Sequence, residues 1–202
     1  MSEGFEGVTI PRWEYRVFGK SLQKPSAIIR HHPCLRERQS ADLYILSEFS
    51  TVNCKIRDSV LDVKVLLKTG KDRLEQWTSH LKISFPVTLN DIDELAELLK
   101  VRKFPAKLSY TEEEFIQTVR QCADLNLIEI RKKRAGYLVN GVKVEIAGLT
   151  VNGDNFQTIG VEHEAPDKAW KVVRLLEIDG FENMNYIRFL KTAFPKRQGQ
   201  RG

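Results

Sequence analysis

The sequence predicts an α+β protein in which about eight antiparallel β-strands close into a barrel, or tunnel, with helices packed outside. Segments that alternate apolar and charged residues recur along the chain, several of them separated by glycine-containing turns. Amphipathic helical segments lie between and after them and could cover the apolar strand faces. An open sheet with its charged faces in water fits the same alternation. Closure would instead turn those faces toward a polar lumen wide enough for a small ligand.

The first half of the chain is predicted to be an antiparallel meander. In residues 12–19, Arg12, Glu14 and Arg16 share one strand face, because side chains two positions apart point the same way. Residues 20–40 contain Pro25 and Pro33 and are predicted to be a loop with at most a short helix. The remaining strands of this half are predicted over residues 42–47, 52–58, 61–68 and 74–83.

The middle of the chain, residues 89–125, is predicted to be a helical insert. Asn90 is the expected N-cap of a helix over 89–99, and Thr111 with Glu114 forms a capping-box pattern at the start of a second helix. Asn140–Gly141 indicates a two-residue hairpin turn. Further strands are predicted over 127–134, 137–139, 142–147 and 158–164, and helices over 166–176 and 185–194. Residues 1–194 are expected to form a single domain, and the basic tail, 195–202, is expected to be disordered.

The segment 158–164 carries two carboxylates, Glu162 and Glu164, on one strand face and about 7 Å apart, given the strand rise. Glutamate is a poor strand former, so the pair needs an explanation. Seen alone, the segment is most simply a solvated face of an antiparallel sheet. The alternative is an acidic wall that binds a hard cation. Arginine and lysine on the other charged faces favour the second interpretation, because basic groups with carboxylates suit a phosphate chain and its divalent metal.

Composition and charge restrict the partners and the compartment. The formal net charge of +5 favours a polyanionic partner. Cys34, Cys54 and Cys122 form neither a metal-binding spacing nor a disulfide framework, which fits a reducing environment. With neither a signal-peptide pattern nor an apolar run of about 20 residues, we expect a cytoplasmic protein and no membrane partner.

Six stretches occur in a characteristic order along the chain. An acidic and basic strand is followed by basic strands, a Lys-x-Arg-x-x-Tyr strand, an acidic strand with Glu145, and a closing Glu162-x-Glu164 before a tyrosine-containing helix. This succession resembles the CYTH, or triphosphate tunnel metalloenzyme, superfamily over residues 12–194. The matching stretches are Arg12–Arg16 for a Glu-x-Glu-x-Lys strand, Lys55–Arg57 with Lys64, 132–137, 141–147, 158–164 and 185–190.

The resemblance implies a closed tunnel in which a triphosphate is hydrolysed with Mg²⁺ or Mn²⁺. The substrate would be inorganic triphosphate, polyphosphate, or a nucleoside or thiamine triphosphate. Adenylate cyclisation is the superfamily's other reaction. The implied metal ligands are Glu14, Glu145, Glu162 and Glu164. The implied phosphate-binding residues are Arg16, Lys55, Arg57, Lys64, Lys132 and Arg134.

Two departures from the pattern favour a rival function. Arg12 stands where the superfamily has its first glutamate, and Ala147 stands where many members have an aspartate. Losing acidic ligands weakens metal binding, so the tunnel could instead be a module that binds a nucleotide or polyphosphate without turnover. Nucleic acid is disfavoured as a partner, because the aromatic residues form no stripe among exposed basic groups. A homodimer is left open.

The strand over 127–134 presents a conflict of register. If Ile128 and Ile130 faced outward, Arg131 and Lys133 would face the lumen on the simple alternation of a strand. The resemblance instead favours Lys132 and Arg134. A β-bulge in the strand would reconcile the two, and we follow the resemblance.

Overall fold

Eight antiparallel strands close into a barrel in the computed structural model, which describes residues 10–195. Their order around the barrel is β1-β10-β9-β8-β2-β3-β4-β5, and β5 pairs with β1 to complete it. The predicted α+β class and the closed barrel are therefore confirmed. The barrel strands are β1 (Arg12–Gly19), β2 (Cys34–Ser47), β3 (Asn53–Arg57), β4 (Val60–Thr69), β5 (Glu75–Ser84), β8 (Leu125–Val139), β9 (Val142–Val151) and β10 (Asp154–His163).

Five helices and a short two-stranded sheet complete the fold within these residues. The short sheet pairs β6 (Val87–Thr88) with β7 (Ser109–Tyr110). The capping box of Thr111 and Glu114 is present as predicted, whereas the second helix is capped by Thr88 and not by Asn90. None of the helices in residues 10–195 has the length and apolar character needed to cross a membrane. The helices are α1 (Gln23–Arg30), α2 (Leu89–Leu99), α3 (Glu112–Gln121), α4 (Pro166–Leu175) and α5 (Tyr186–Ala193).

Two apolar clusters cover the outer face of the barrel. In one, α1 and α4 pack on the outward side chains of β1, β9 and β10, such as the fully buried Tyr15, Val17 and Ile159. In the other, α2 and α3 pack on those of β2, β3 and β4, and Phe115 of α3 is fully buried there. Helix packing on the outer face leaves the opposite, polar face of each strand to line the lumen.

A third apolar cluster lies on the inward face, at one end of the barrel. Helix α5 brings Tyr186 and Phe189 against Tyr44 of β2 and Ile130 of β8. Tyr44 shares a strand face with Asp42, and Ile130 shares one with Lys132, so the same faces change from polar to apolar along the barrel axis. Helix α5 therefore fills one end of the barrel and confines the polar lumen to the other.

The long ladder between β2 and β8 corrects two predictions. Residues 34–40 are strand rather than loop, and residues 125–139 form one strand rather than the end of a helix and two short strands. The first part of β2 is mostly exposed and carries no apolar alternation. It is held in the sheet by β8, whose ladder with β2 runs from Cys34 to Ser47.

Lys132 and Arg134 of β8 face the lumen, as the resemblance favours, and no bulge is needed to place them there. Pairing with β2 is continuous from Ser40–Lys132 to Tyr44–Ile128, and the register shift in this ladder lies at its far end, between Cys34 and Arg36. Ile128 faces inward together with Lys132, because α5 makes that end of the interior apolar. The conflict of register arose from the assumption that the isoleucines face outward.

Candidate functional site

The polar part of the lumen is a cavity of about 460 Å³ to which all eight barrel strands contribute. Nine of the ten predicted site residues line it. The tenth, Glu164, lines an adjoining cavity of about 400 Å³ together with Arg12, Lys64 and Glu162, which places it at the mouth. The nine residues in the lumen are Glu14, Arg16, Lys55, Arg57, Lys64, Lys132, Arg134, Glu145 and Glu162.

Three of the predicted phosphate-binding residues are paired with two aspartates that the sequence analysis did not select. Lys132 Nζ lies 2.9 Å from Asp42 Oδ2, and Lys55 Nζ lies 2.9 Å from Asp62 Oδ2. The guanidinium of Arg57 lies between the two carboxylates, 3.9 Å from Asp42 and 3.8 Å from Asp62. Burial alone would raise the pKa of both aspartates, but the neighbouring lysines lower them below the ordinary value.

Lys132 has the most perturbed environment of these cations. Its side chain is 3% exposed, and burial, with help from nearby Lys55 and Arg16, lowers its pKa to about 7 although Asp42 opposes the shift. The ammonium donates to Tyr44 Oη at 2.8 Å and lies 3.8 Å from the centre of the Tyr186 ring. Helix α5 thus supplies one wall of the lysine's site through a cation–π contact.

Arg16 pairs with two glutamates on the acidic side of the lumen. Its Nε donates to Glu14 Oε1 at 2.5 Å, and its Nη1 lies 3.4 Å from Glu145 Oε1. The guanidinium also stacks 4.9 Å from the centre of the Tyr186 ring. Gly160, directly opposite on β10, leaves room for it, because a β-carbon there would lie 2.6 Å from the guanidinium carbon.

Replacing Gly160 with alanine is expected to lower the free energy of unfolding by about 1–3 kcal/mol, the range typical of overpacking. The added methyl group would push the guanidinium of Arg16 away from Glu14 and Glu145. Urea denaturation measures the effect. Gly148→Ala is the matched control, since nothing lies within 4 Å of the β-carbon added there. Equal stability of the two variants would contradict the close packing of Arg16.

All four predicted metal ligands are paired with arginine. Arg16 forms ion pairs with Glu14 and Glu145. Arg12 lies 3.6 Å from Glu162 and 4.0 Å from Glu164. Within residues 10–195, no three acidic, histidine or cysteine side chains converge as a group that could hold a metal ion. The residues present therefore do not form a ready site for Mg²⁺ or Mn²⁺.

Sequence reasoning also missed Glu75, Tyr44 and Tyr186. Glu75 lies opposite Glu14 on β5 and accepts hydrogen bonds from Asn185 and Trp77. Burial raises its pKa. Asp62 shares a strand face with Lys64, so its place in the lumen could be deduced from the sequence, but its pairing with Lys55 and Arg57 could not. Nothing in the spacing of residues 185–194 indicates that their helix enters the barrel.

Comparison with known proteins identifies the fold. No protein-family model and no curated protein matches the sequence. A proposed adenylyl cyclase from Hippeastrum, described as having a dominant triphosphatase activity, matches with a TM-score of 0.50 and 13% identity, over 90% of this chain and 95% of its own. A proposed adenylate cyclase from Bacillus halodurans matches with a TM-score of 0.50 and 13% identity, over 89% and 98%. The likeness of this chain to both structures is one of fold, and it agrees with the fold that the sequence resemblance predicted.

Proposed function

We propose, from the premise that this chain has the triphosphate tunnel fold, that its lumen binds the triphosphate group of a small phosphorylated molecule. Seven basic and five acidic side chains line the cavity, which leaves a formal charge of +2. A phosphate chain offers several acceptor oxygens in a row, and guanidinium and ammonium groups are their usual partners in proteins. The cavity volume of about 460 Å³ is within the range of small-molecule sites.

The observation that carries the proposal is a pair of basic side chains with spare donors. Within the described part of the chain, neither Arg134 nor Lys64 forms an ion pair, although both line the lumen. Arg134 donates only to Ser40 Oγ, at 2.8 Å, and its Nε is buried without a partner. A buried donor without an acceptor is costly, and a phosphate oxygen would remove that cost.

Arg134→Ala is expected to weaken binding of tripolyphosphate by roughly tenfold or more, since hydrogen bonds to charged groups contribute about 1.5–3 kcal/mol. Isothermal titration calorimetry measures the affinity. Arg131→Ala is the control: Arg131 lies on the same strand, but its side chain is 78% exposed on the outer face and paired with Glu129. Wild-type protein that does not bind tripolyphosphate at all would contradict the proposed function.

Hydrolysis of the bound group is the second candidate, supported by the triphosphatase activity described for the Hippeastrum protein of the same fold. Phosphate release from tripolyphosphate and from ATP, with Mg²⁺ or Mn²⁺ added, tests it. ADP and phosphate would indicate hydrolysis, cyclic AMP and pyrophosphate would indicate cyclisation, and binding without products would indicate a binding module. If the Glu162→Ala, Glu164→Ala double variant were as active as wild type, these carboxylates would have no part in the reaction.

A further inference from the structure

We propose that Arg12 is a built-in cation that takes the place of a divalent metal on the acidic wall, so that the lumen binds a metal-free triphosphate anion. The inference rests on the proposed function and specifies the form of its ligand. It makes Arg12 a determinant of specificity: the free polyanion is preferred over the same anion carrying Mg²⁺.

The position of Arg12 is the first observation. Its two terminal nitrogens approach different carboxylates, Nη1 at 3.6 Å from Glu162 and Nη2 at 4.0 Å from Glu164. Glu162 belongs to β10 and Glu164 follows just after its last residue, His163, while Arg12 belongs to the neighbouring β1, on the face that also carries Glu14 and Arg16. A single positive group therefore sits between the two carboxylates that would otherwise be free to share a divalent cation at the mouth of the lumen.

The second observation is that the remaining acidic groups are also neutralised. Arg16 is only 11% exposed and is tightly paired with Glu14 at 2.5 Å, and it approaches Glu145 at 3.4 Å. A divalent ion would have to displace one of two guanidinium groups and would then lie close to the other. Repulsion between positive charges in a partly buried site opposes this arrangement. The absence of any converging group of three potential ligands in residues 10–195 agrees with it.

The third observation is that Arg12 is held loosely. Distances of 3.6 and 4.0 Å exceed the 2.7–2.9 Å or so of strong charge-assisted hydrogen bonds, and the Arg12 side chain is 35% exposed. Its planar fork can therefore turn toward an entering phosphate and bind two of its oxygens at once. Lys64 borders the same cavity and has no ion-pair partner among the described residues. Arg12 and Lys64 together form a subsite for a terminal phosphate at the mouth.

Calorimetric titration with tripolyphosphate, in excess EDTA and in excess Mg²⁺, tests the proposal. Wild type is expected to bind in EDTA, and roughly tenfold more weakly in Mg²⁺, because the metal removes negative charge from the ligand. Arg12→Glu is expected to lose affinity in EDTA by roughly tenfold or more and to bind better with Mg²⁺ than without it. Arg131→Glu, which changes charge by the same amount on the outer face, is expected to behave as wild type apart from a small general loss.

Binding of Mn²⁺ alone, followed by electron paramagnetic resonance, gives a readout that is independent of the ligand. The Arg12→Glu variant is expected to bind the ion, whereas the wild-type protein is expected not to bind it. Should Arg12→Glu fail to fold, Arg12→Gln, which removes the charge without adding a carboxylate, is expected to lose affinity in EDTA and to gain none from Mg²⁺. Wild-type binding that required Mg²⁺ would overturn the inference and leave the proposed function standing. Failure to bind under either condition would overturn the proposed function itself.

Discussion

Lys132→Met is expected to lower the free energy of unfolding by about 3–5 kcal/mol, the cost of removing one partner from a buried ion pair. Asp42 is fully buried, and Lys132 Nζ at 2.9 Å is its nearest cation, whereas Arg57 lies 3.9 Å away. The variant would leave a carboxylate inside the barrel with only the Ser40 hydroxyl, at 2.7 Å, as a close hydrogen-bond donor. Chemical denaturation monitored by circular dichroism measures the change in stability.

Two further variants distinguish this loss of stability from a general sensitivity of β8 to substitution. Lys133→Met changes the neighbouring, outward-facing residue and is expected to alter stability by less than about 0.5 kcal/mol. The double variant Asp42→Asn, Lys132→Met removes both charges and is expected to recover most of the lost stability, because a neutral pair no longer buries an unpaired ion. A double variant as unstable as Lys132→Met alone would show that packing, and not charge, dominates at this site.

The surroundings of the two faces of a strand explain which strands could be predicted from the sequence. A helix on one side and the lumen on the other give β1 two faces of distinct character, with Tyr15 and Val17 outward and Glu14 and Arg16 inward. Such a strand shows clean alternation. The start of β2, residues 34–40, stays largely exposed and shows no such contrast between its two faces. Its strand structure depends on pairing with β8, which cannot be deduced from its own composition.

The interior was harder to predict, because its character changes along the barrel axis. Ile130 and Lys132 share a face, although one packs against α5 and the other lines the cavity. If each strand face is assumed to have one environment along its whole length, Ile130 is predicted to face outward. A bulge is then needed to turn Lys132 toward the lumen. The position of α5 inside the barrel removes that requirement. This position follows from tertiary packing of Tyr186 and Phe189, not from any local signal.

Among the candidate site residues, charge type was predictable and charge pairing was not. The family resemblance selected basic residues that do line one cavity. It could not reveal that Asp42 and Asp62 already neutralise part of them, or that arginines occupy the acidic wall. Of these two arginines, Arg12 and Arg16, only Arg12 was visible in the sequence as a departure from the family pattern. Because Arg12 pairs with Glu162 and Glu164, we predict that the ligand binds without a divalent metal.

The affinity for tripolyphosphate is expected to fall as the pH rises above about 7, by up to roughly tenfold per pH unit. Burial lowers the pKa of Lys132 to about 7 in the free protein, although Asp42 opposes the shift, so this charge is lost as the pH rises through that value. A bound phosphate chain in the same cavity favours the charged form and raises that pKa. Binding therefore takes up a proton between the free and the bound pKa values, and higher pH opposes it.

The ligand itself also titrates, so the measurement needs a reference protein. The Asp42→Asn, Lys132→Met double variant carries no titrating lysine at this position and reports the pH dependence of the ligand and of the other groups. The ratio of wild-type to variant affinity, measured by calorimetry between about pH 6 and pH 8.5, is expected to decline toward higher pH. Lys132→Arg, which stays charged throughout this range, serves as a second reference if the double variant is unstable. A constant ratio would mean that Lys132 keeps one protonation state during binding, and that its close contact with Asp42 outweighs the cost of burying its charge.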